Sequence, residues 1–206
     1  MNFKKNFPLS SICSLKTKEI ASYYCSISDL NELEEIRSFT SKNNIPFLLL
    51  GEGTNVVPTN TFQGLIIKNQ LKGIELLDDF TIKVEGGENW HEFVQWTVTN
   101  RKYGLENLAL IPGTVGAGPI QNIGAYGIEI SDCIEEVTFV DLNENRIGTF
   151  NKEECNFGYR TSIFKTRPEL FILSVTFKLN DDPKPNLSYK SLKDEIFNSG
   201  INEGSI

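Results

Sequence analysis

Residues 111–127 read IPGTVGAGPIQNIGAYG, and this stretch limits the possible folds more than any other part of the chain. It holds five glycines together with Pro112 and Pro119. Glycine has no Cβ, so the main chain there can take positive φ values and can approach another chain or a ligand closely. Such a density of glycine and proline predicts a compact loop, and either a ligand-free turn or an anion-binding loop satisfies the pattern.

The residue types inside this loop favour the anion-binding interpretation. Pro119 is suited to the first position of a short helix, whose free N–H groups and positive potential face an anion. The small residues before Pro119 would let a pyrophosphate come close. Gln121 and Asn122 offer amide hydrogen bonds to a bound ligand, and Tyr126 offers an aromatic face and a hydroxyl group.

A second glycine-rich segment, GEGTN at residues 51–55, follows the apolar run IPFLLL. Gly51 and Gly53 can take positive φ and would let main-chain N–H groups approach a phosphate. No Gly-Lys-Ser/Thr sequence follows, so the segment is not a P-loop, and Val56 stands where a dinucleotide fingerprint has its third glycine. By itself the pattern fits a glycine-rich hairpin or loop without a ligand better than a phosphate site.

Hydrophobic spacing along the rest of the chain predicts an α+β fold. The residues before Ser28 are predicted to be irregular, and a helix over 28–39 follows with Ser28 as its N-cap. A second helix is predicted to open with Asn89 and Glu92 as a capping pair and to end near Asn100. Its buried face is predicted to comprise Trp90, Phe93, Val94 and Val98. Strands are predicted at residues 45–50, 64–69, 73–77, 81–84, 135–142, 146–150 and 169–179.

Near the end of the chain, residues 181–185 (DDPKP) resemble a linker. Ser191 is then expected to cap a short helix that reaches Phe197.

Composition excludes several classes of function. The formal net charge of −7 opposes binding to nucleic acid or to an anionic lipid surface. The longest apolar runs, 45–50 and 170–175, are far shorter than the roughly 20 residues that span a bilayer. Four widely spaced cysteines and a single histidine indicate neither a metal site nor a disulfide framework, so reduced core thiols are expected. Serines and lysines interrupt the one stretch that resembles a signal peptide, so a cytoplasmic location is expected.

Four segments, taken in order and spacing, resemble the UDP-N-acetylenolpyruvoylglucosamine reductase family: GEGTN, ENWHEF, NLALIPGTVGAGPIQNIGAYG and FGYRTSIFK. The similarity runs almost from end to end. It implies an FAD-binding fold of the vanillyl-alcohol-oxidase (PCMH) type, with a small α/β subdomain at 1–70, a larger α+β subdomain at 71–185, and the start of a substrate-binding region at 186–206.

The resemblance also implies a cofactor and a reaction. In the family NADPH reduces FAD, and hydride then passes to UDP-N-acetylglucosamine enolpyruvate to complete UDP-N-acetylmuramate, a peptidoglycan precursor. The FAD contacts implied for this chain are Gly51, Glu52, Gly53, Thr54, Asn55, Pro112, Gly113, Thr114, Gly116, Ala117, Gly118, Gln121, Asn122, Gly124 and Ala125. A monomer acting on small molecules, without a metal, is expected.

Arg160, in FGYRTSIF, matches the family arginine that binds the substrate carboxylate and stabilises the charge that develops there. Taken alone it fits a structural ion pair better. Tyr126 and Tyr189 match positions that contact the substrate, although such tyrosines often serve packing. His91 is expected to lie on a helix surface without a catalytic role, and Glu85, Glu88 and Glu92 to form a solvated helix entrance.

The chain differs from the family pattern after Ile206, where family members continue into a third domain. That domain supplies a proton-donating serine in a G-S-F-F-type segment and an assisting glutamate near the end. The alternatives are therefore a truncated, catalytically impaired FAD-binding remnant and another flavin oxidoreductase of the same superfamily.

Overall fold

The computed structural model describes residues 1–183 and 186–199. The chain contains both strands and helices without a regular β-α-β alternation, in agreement with the predicted α+β class. Their bounds are β1 Lys4–Pro8, β2 Ile20–Ile27, α1 Leu33–Asn43, β3 Phe47–Leu50, β4 Phe62–Asn69, β5 Ile74–Leu76, β6 Thr81–Glu85, α2 Trp90–Thr99, β7 Gly124–Ala125, β8 Ile128–Glu129, β9 Ile134–Asp141, β10 Arg146–Asn151, α3 Ile163–Thr166, β11 Leu170–Lys178 and α4 Lys190–Asn198.

The first sheet has four strands in the order β1-β2-β4-β3. Strand β4 lies parallel to both β2 and β3, whereas β1 is antiparallel to β2. Helix α1 connects β2 to β3 and buries Leu33 and Ile36 against Ile27, Leu65 and Ile67 of the sheet. This parallel arrangement directs the end of β3, and the glycine-rich segment that follows it, towards one edge of the sheet.

The second sheet has five antiparallel strands in the order β10-β9-β11-β6-β5. Helix α2 follows β6, and its Trp90 and Phe93 are almost fully buried. Both rings lie close to Phe177 of β11, at centroid distances of 6.1 and 5.1 Å. The ring contacts fix the start of α2 against the sheet, and the Trp90 N–H at that position donates to Gly113 O of the second glycine-rich loop.

Strand β11 is buried on both faces, a degree of burial that its alternating sequence pattern does not reveal. Ile172 and Val175 pack into the core that contains Trp90. Phe171 and Leu173 pack into the core of the first sheet and α1. The two cores therefore share one strand.

Every predicted strand is present, but the expectation of an irregular region before Ser28 is wrong. Strands β1 and β2 lie there, and β2 (IASYYCSI) is an interior strand of the first sheet. Aromatic and branched residues in β2 favour a strand. Strand β1 (KKNFP) is mostly charged and polar, so its sequence does not predict a strand. It can nevertheless pair with β2, because an edge strand needs no continuous apolar face.

Three predicted helix details are corrected by the structure. Asp29, not Ser28, caps the first helical turn, because its carboxylate accepts the Asn31 N–H at 2.8 Å. In α2 the buried fourth position is Thr97, while Val98 is 39% exposed. Helix α4 begins at Lys190, so Ser191 lies inside it and does not cap it.

The predicted cap of α2 is confirmed, since the Asn89 side chain accepts the Glu92 N–H at 3.0 Å. Residues 184–185, which end the predicted linker, and the final residues 200–206 lie outside the described residues. Within the described part of the chain, no helix is long and apolar enough to span a membrane. The same residues contain no group of three or more His, Cys, Asp or Glu side chains arranged to hold a metal ion.

All four cysteines are free and buried, which confirms the prediction of reduced core thiols. Burial raises the pKa of Cys25 and of Cys155 to about 12, and that of Cys133 to about 11. A raised pKa keeps the thiol protonated, and only the thiolate is a good nucleophile. We therefore expect none of the four thiols to react with DTNB within minutes in native protein at pH 8. Four should react after unfolding in guanidinium, and fast labelling of the native protein would contradict the buried arrangement.

Candidate cofactor cleft

The first loop, residues 51–55, follows directly from β3. Gly53 has φ of +66°, and a Cβ built there would lie 2.2 Å from the Ile12 carbonyl oxygen. The Ser14 N–H donates to the Gly53 carbonyl at 3.1 Å. Gly53 is thus required by packing against the N-terminal segment, whereas the sequence suggests that its role is to admit a phosphate.

The second loop contains two single 3₁₀ turns, Val115–Ala117 and Pro119–Gln121. Pro119 occupies the first position of its turn, as predicted, but three residues of 3₁₀ helix supply much less aligned dipole than an α-helix. Main-chain hydrogen bonds hold the loop to the start of α2: the Trp90 N–H donates to Gly113 O at 3.0 Å, and the Val115 N–H donates to Glu88 O at 2.9 Å.

Glycines let the two loops and their neighbours come close. A Cβ on Gly51 would lie 2.7 Å from Thr114 Oγ1, and one on Gly116 would lie 3.0 Å from the Gly86 main chain. Gly113 differs, since it has φ of +138° and its nearest neighbour in that direction is Thr54 Oγ1 at 3.8 Å. Gly51 and Gly116 therefore allow close packing that a Cβ would prevent, whereas a Cβ on Gly113 would have room beside Thr54.

Three side-chain hydrogen bonds tie the first loop to the facing elements. Thr54 Oγ1 donates to Pro112 O at 3.3 Å, and Asn55 Nδ2 donates to Gln121 Oε1 at 3.0 Å. Asn89 Nδ2 donates to Glu52 Oε1 at 2.9 Å. The predicted loops are therefore brought together in space across 66 residues of sequence.

A cleft of about 280 Å³ lies between the loops. Most of the predicted cofactor residues line it, and these are Gly51, Glu52, Gly53, Thr54, Asn55, Pro112, Gly113, Thr114, Ala117, Gly118 and Gln121. The remaining lining residues are Leu49, Leu50, Val56, Trp90, Ile120, Ile123 and Lys165. Apolar walls with a few polar groups are typical of cofactor sites.

Hydrogen-bond donors of the cleft lack partners in the described part of the chain. The main-chain N–H groups of residues 52–56 make no hydrogen bond to any described residue. Thr114 Oγ1 is buried at the cleft wall and also has no hydrogen-bond partner among the described residues. A buried hydroxyl without a partner is unfavourable in a folded protein, so these groups fit a ligand that accepts hydrogen bonds.

Four predicted cofactor residues lie outside the cleft lining: Gly116, Asn122, Gly124 and Ala125. The prediction that Asn122 offers its amide to a ligand does not suit its surroundings. Asn122 is fully buried, and its Nδ2 donates to Glu129 Oε2 at 2.7 Å and to Gly158 O at 3.2 Å. Its Oδ1 accepts the Ser131 N–H at 3.2 Å. The Asn122 side chain therefore stabilises the second loop from outside the cleft lining.

The three predicted substrate residues gather beside the β7–β8 hairpin. Tyr126 and Tyr189 form an edge-to-face pair with ring centroids 5.6 Å apart, and both rings are about half exposed. Arg160 Nη2 donates to Gly124 O at 3.3 Å. Arg160 and Tyr126 both have positive φ, a conformation that is uncommon for such residues and that concentrates at functional sites.

Of the seven lining residues outside the predicted set, Lys165 and Trp90 are the two that carry a polar side-chain group. Lys165 ends the FGYRTSIFK segment, and its Nζ donates to Arg160 O at 3.0 Å. Trp90 is predicted from the sequence as a core residue only. Its Nε1–H donates to Leu108 O at 2.8 Å while the ring forms a wall of the cleft. A lysine five residues after a site arginine is the available signal for Lys165.

The single histidine and the nearby glutamates have structural partners. His91 Nδ1 accepts the Leu110 N–H at 3.2 Å, which supports the turn before the second loop. Glu88 accepts from Lys72 Nζ at 3.2 Å and from the Gly73 N–H at 2.8 Å. Burial raises the pKa of the Glu85 carboxyl group. These contacts give His91 and Glu88 structural roles, and the partial burial of Glu85 and Glu88 differs from the predicted solvated helix entrance.

Comparison with known proteins gives three findings. Residues 21–148 match the family of FAD binding domains. The chain is 47% identical over 158 residues to a UDP-N-acetylenolpyruvoylglucosamine reductase of Buchnera aphidicola subsp. Baizongia pistaciae, covering 74% of this chain and 47% of that protein. It is 40% identical over 206 residues to the reductase of Shewanella sediminis, covering 98% of this chain and 60% of that protein. The chain thus spans about half the length of the curated relatives it matches.

Solved structures share the fold. The crystal structure of UDP-N-acetylenolpyruvylglucosamine reductase from Thermus caldophilus superposes with a TM-score of 0.74 at 23% identity, covering 97% of this chain and 69% of that one. Cholesterol oxidase from Brevibacterium sterolicum superposes with a TM-score of 0.58 at 12% identity, covering 87% of this chain and 37% of that one. These likenesses confirm the predicted α+β FAD-binding fold.

Proposed function

Because this chain belongs to the FAD-binding domain family, we propose that it holds FAD in the cleft between its two glycine-rich loops. We propose further that it is the cofactor-holding part of a UDP-N-acetylenolpyruvoylglucosamine reductase. The observation that carries the proposal is the set of unpartnered donors, the N–H groups of residues 52–56 and the Thr114 hydroxyl, which lie at one cleft and lack partners among the described residues.

The cleft residues fit a dinucleotide with a diphosphate bridge. Main-chain N–H groups can donate to phosphate oxygens without a side chain intervening, and a diphosphate offers many acceptors in a short span. The Leu49, Ile120 and Ile123 side chains supply apolar surface for aromatic rings. Lys165 adds the positive charge of the lining, and Glu52 adds its negative charge.

FAD, when bound, supplies hydride-transfer chemistry with NADPH as the reductant. The chain's own residues would bind and orient the enolpyruvyl substrate. The Arg160 guanidinium can hold a carboxylate through two parallel hydrogen bonds and stabilise negative charge as it develops. Tyr126 and Tyr189, already in contact with each other, offer ring faces and hydroxyl groups to the nucleotide-sugar portion.

The proposal includes the division of the chain. Residues 1–70 would form the smaller FAD-binding subdomain and residues 71–185 the larger one, with 186–206 opening the substrate-binding region. The family resemblance also supports a monomeric, cytoplasmic enzyme of peptidoglycan precursor synthesis.

A second candidate is FAD binding without turnover by this polypeptide alone. The two properties are separable, because the cleft lining would hold the cofactor whereas Arg160 lies outside that lining. Oxidation of NADPH that depends on the enolpyruvyl substrate separates the two candidates, because the binding-only protein would retain yellow colour without that activity.

The Thr114 hydroxyl provides the sharpest test of FAD binding. We compare Thr114→Ala with Thr114→Ser, since both lose the methyl group and only serine keeps the hydroxyl. If the hydroxyl serves FAD, Thr114→Ser should bind FAD about tenfold more tightly than Thr114→Ala, a difference of about 1.4 kcal/mol. The FAD-free Thr114→Ala protein should be at least as stable as Thr114→Ser, because it no longer buries an unpaired polar group.

Affinity is measured by quenching of flavin fluorescence, and stability by urea unfolding of the FAD-free proteins. Wild-type protein that stays colourless and shows no quenching would refute FAD binding itself. Equal affinities of the two variants would remove the Thr114 hydroxyl from the site.

A further inference from the structure

Asn89 touches both glycine-rich loops at once. Its Oδ1 accepts the Glu92 N–H at 3.0 Å and so caps α2. Its Nδ2 donates to Glu52 Oε1 at 2.9 Å, in the first loop. Its main chain forms a bridge with Thr114 of the second loop. A single half-buried residue therefore joins the start of α2 to both walls of the cleft.

The three ties of the first loop differ in their exposure to water. The hydrogen bonds from Thr54 and Asn55 are exposed, so water competes with them. The Asn89–Glu52 hydrogen bond is partly buried and has a charged acceptor. Hydrogen bonds to ionised groups are stronger than those between neutral groups. The Asn89 hydrogen bond is therefore the strongest of the three side-chain hydrogen bonds that hold the first loop.

The Asn89–Glu52 hydrogen bond also fixes the position of the Glu52 carboxylate. Glu52 lines the cleft and brings a negative charge towards a site whose anion-binding donors lack partners among the described residues. The Asn89 amide holds that carboxylate against the start of α2. Released from Asn89, the carboxylate could compete with a phosphate for the N–H groups of residues 52–56.

We infer that Asn89 is a positioning residue for FAD: it fixes the first loop in its ligand-ready form and holds the Glu52 carboxylate aside. The inference deepens the proposed function and rests on it for the identity of the ligand. It concerns a different property, the order of the loop in FAD-free protein, which can be measured without FAD.

The test reverses the direction of the Asn89–Glu52 hydrogen bond, so that residue 52 donates and residue 89 accepts. Aspartate caps helices as well as asparagine does, so Asn89→Asp keeps the cap of α2 but sets two carboxylates against each other. With Glu52 present, we expect this change to weaken FAD binding about tenfold or more. In the Glu52→Gln background the glutamine amide can donate to the introduced aspartate in reverse, and the same change should weaken binding less than about threefold.

Loop order in the FAD-free proteins is read by thermolysin, which can cleave before Val56, with the site assigned by mass spectrometry. Cleavage there should be about tenfold faster in Asn89→Asp than in wild type and should return towards wild type in the double variant. Asn89→Ser keeps a capping hydroxyl and cannot reach Glu52 with a donor amide, so it should also cleave faster. It serves as the test should Asn89→Asp fail to fold.

Two results would overturn the inference. One is an equal loss of FAD affinity from Asn89→Asp whether Glu52 is intact or replaced by Glu52→Gln. The other is unchanged cleavage in both Asn89 variants. Failure of wild-type protein to bind FAD would defeat the proposed function instead, and the cleavage rates would still decide whether Asn89 orders the loop.

Discussion

Replacement of Gly53 by alanine should lower FAD affinity by about 100-fold or more and destabilise the protein. Gly53 has φ of +66°, a conformation that costs an L-residue about 1–2 kcal/mol. The added Cβ would also meet the Ile12 carbonyl oxygen at 2.2 Å, so the loop must move away from the N-terminal segment. The N–H groups of residues 52–56 move with it. We expect the free energy of unfolding to fall by about 2–3 kcal/mol in total.

Flavin fluorescence quenching and urea unfolding measure the two effects. Gly73→Ala is the matched control, because Gly73 also has positive φ, at +155°, but lies outside the cleft lining with Glu85 Cγ as its nearest neighbour at 3.3 Å. Its FAD affinity should stay close to that of wild type. Wild-type affinity in Gly53→Ala would show that the first loop does not hold the cofactor.

Replacement of Arg160 by alanine should abolish most turnover and leave FAD bound. In a full-length relative that carries the FGYRTSIFK segment, we expect the equivalent change to lower kcat about 10²- to 10³-fold, as expected when a group that stabilises transition-state charge is removed. FAD affinity should change little, because Arg160 lies beside the hairpin and outside the cleft lining. Stopped-flow reduction and steady-state NADPH oxidation measure the effect.

Arg160→Lys separates charge from geometry. Lysine keeps the positive charge but cannot form two parallel hydrogen bonds to a carboxylate, so its rate should lie between those of wild type and Arg160→Ala. Turnover by Arg160→Ala at the wild-type rate would remove Arg160 from the mechanism. Loss of FAD from Arg160→Ala would mean that Arg160 acts by stabilising the β7–β8 hairpin and not by binding the substrate.

Local chemistry makes much of the fold predictable. Helix α2 is predicted with its cap because Asn89 and Glu92 form a signal within one turn. Strands with alternating or continuous apolar residues are also identified from the sequence. The sequence prediction misses β1 and β2: the polar residues of β1 give no strand pattern, whereas β2 contains strand-favouring residues that the prediction did not use. The pairing of β2 with β4 joins residues far apart in sequence and has no local signal.

The site is predictable as a set of residues but not as an arrangement. The two loops are expected to bind one ligand, and the structure places both along one cleft. What the sequence cannot show is which glycine serves packing: a Cβ on Gly53 would clash with the Ile12 carbonyl oxygen at 2.2 Å, whereas one on Gly113 would make only an ordinary contact with Thr54 Oγ1 at 3.8 Å. The amide of Asn122 is equally ambiguous in sequence, because only its surroundings reveal that Glu129 and Gly158 already occupy it.

Strand β11, with Phe171 in one core and Ile172 in the other, has a consequence for how a cofactor enters. Separating the two cores would break the packing of β11, which contributes side chains to both of them. A hinge motion between the two cores is therefore strongly disfavoured. We therefore expect exchange of a bound dinucleotide to depend on small displacements of residues 51–55, which three side-chain hydrogen bonds and the main-chain hydrogen bond from Ser14 to Gly53 hold in place.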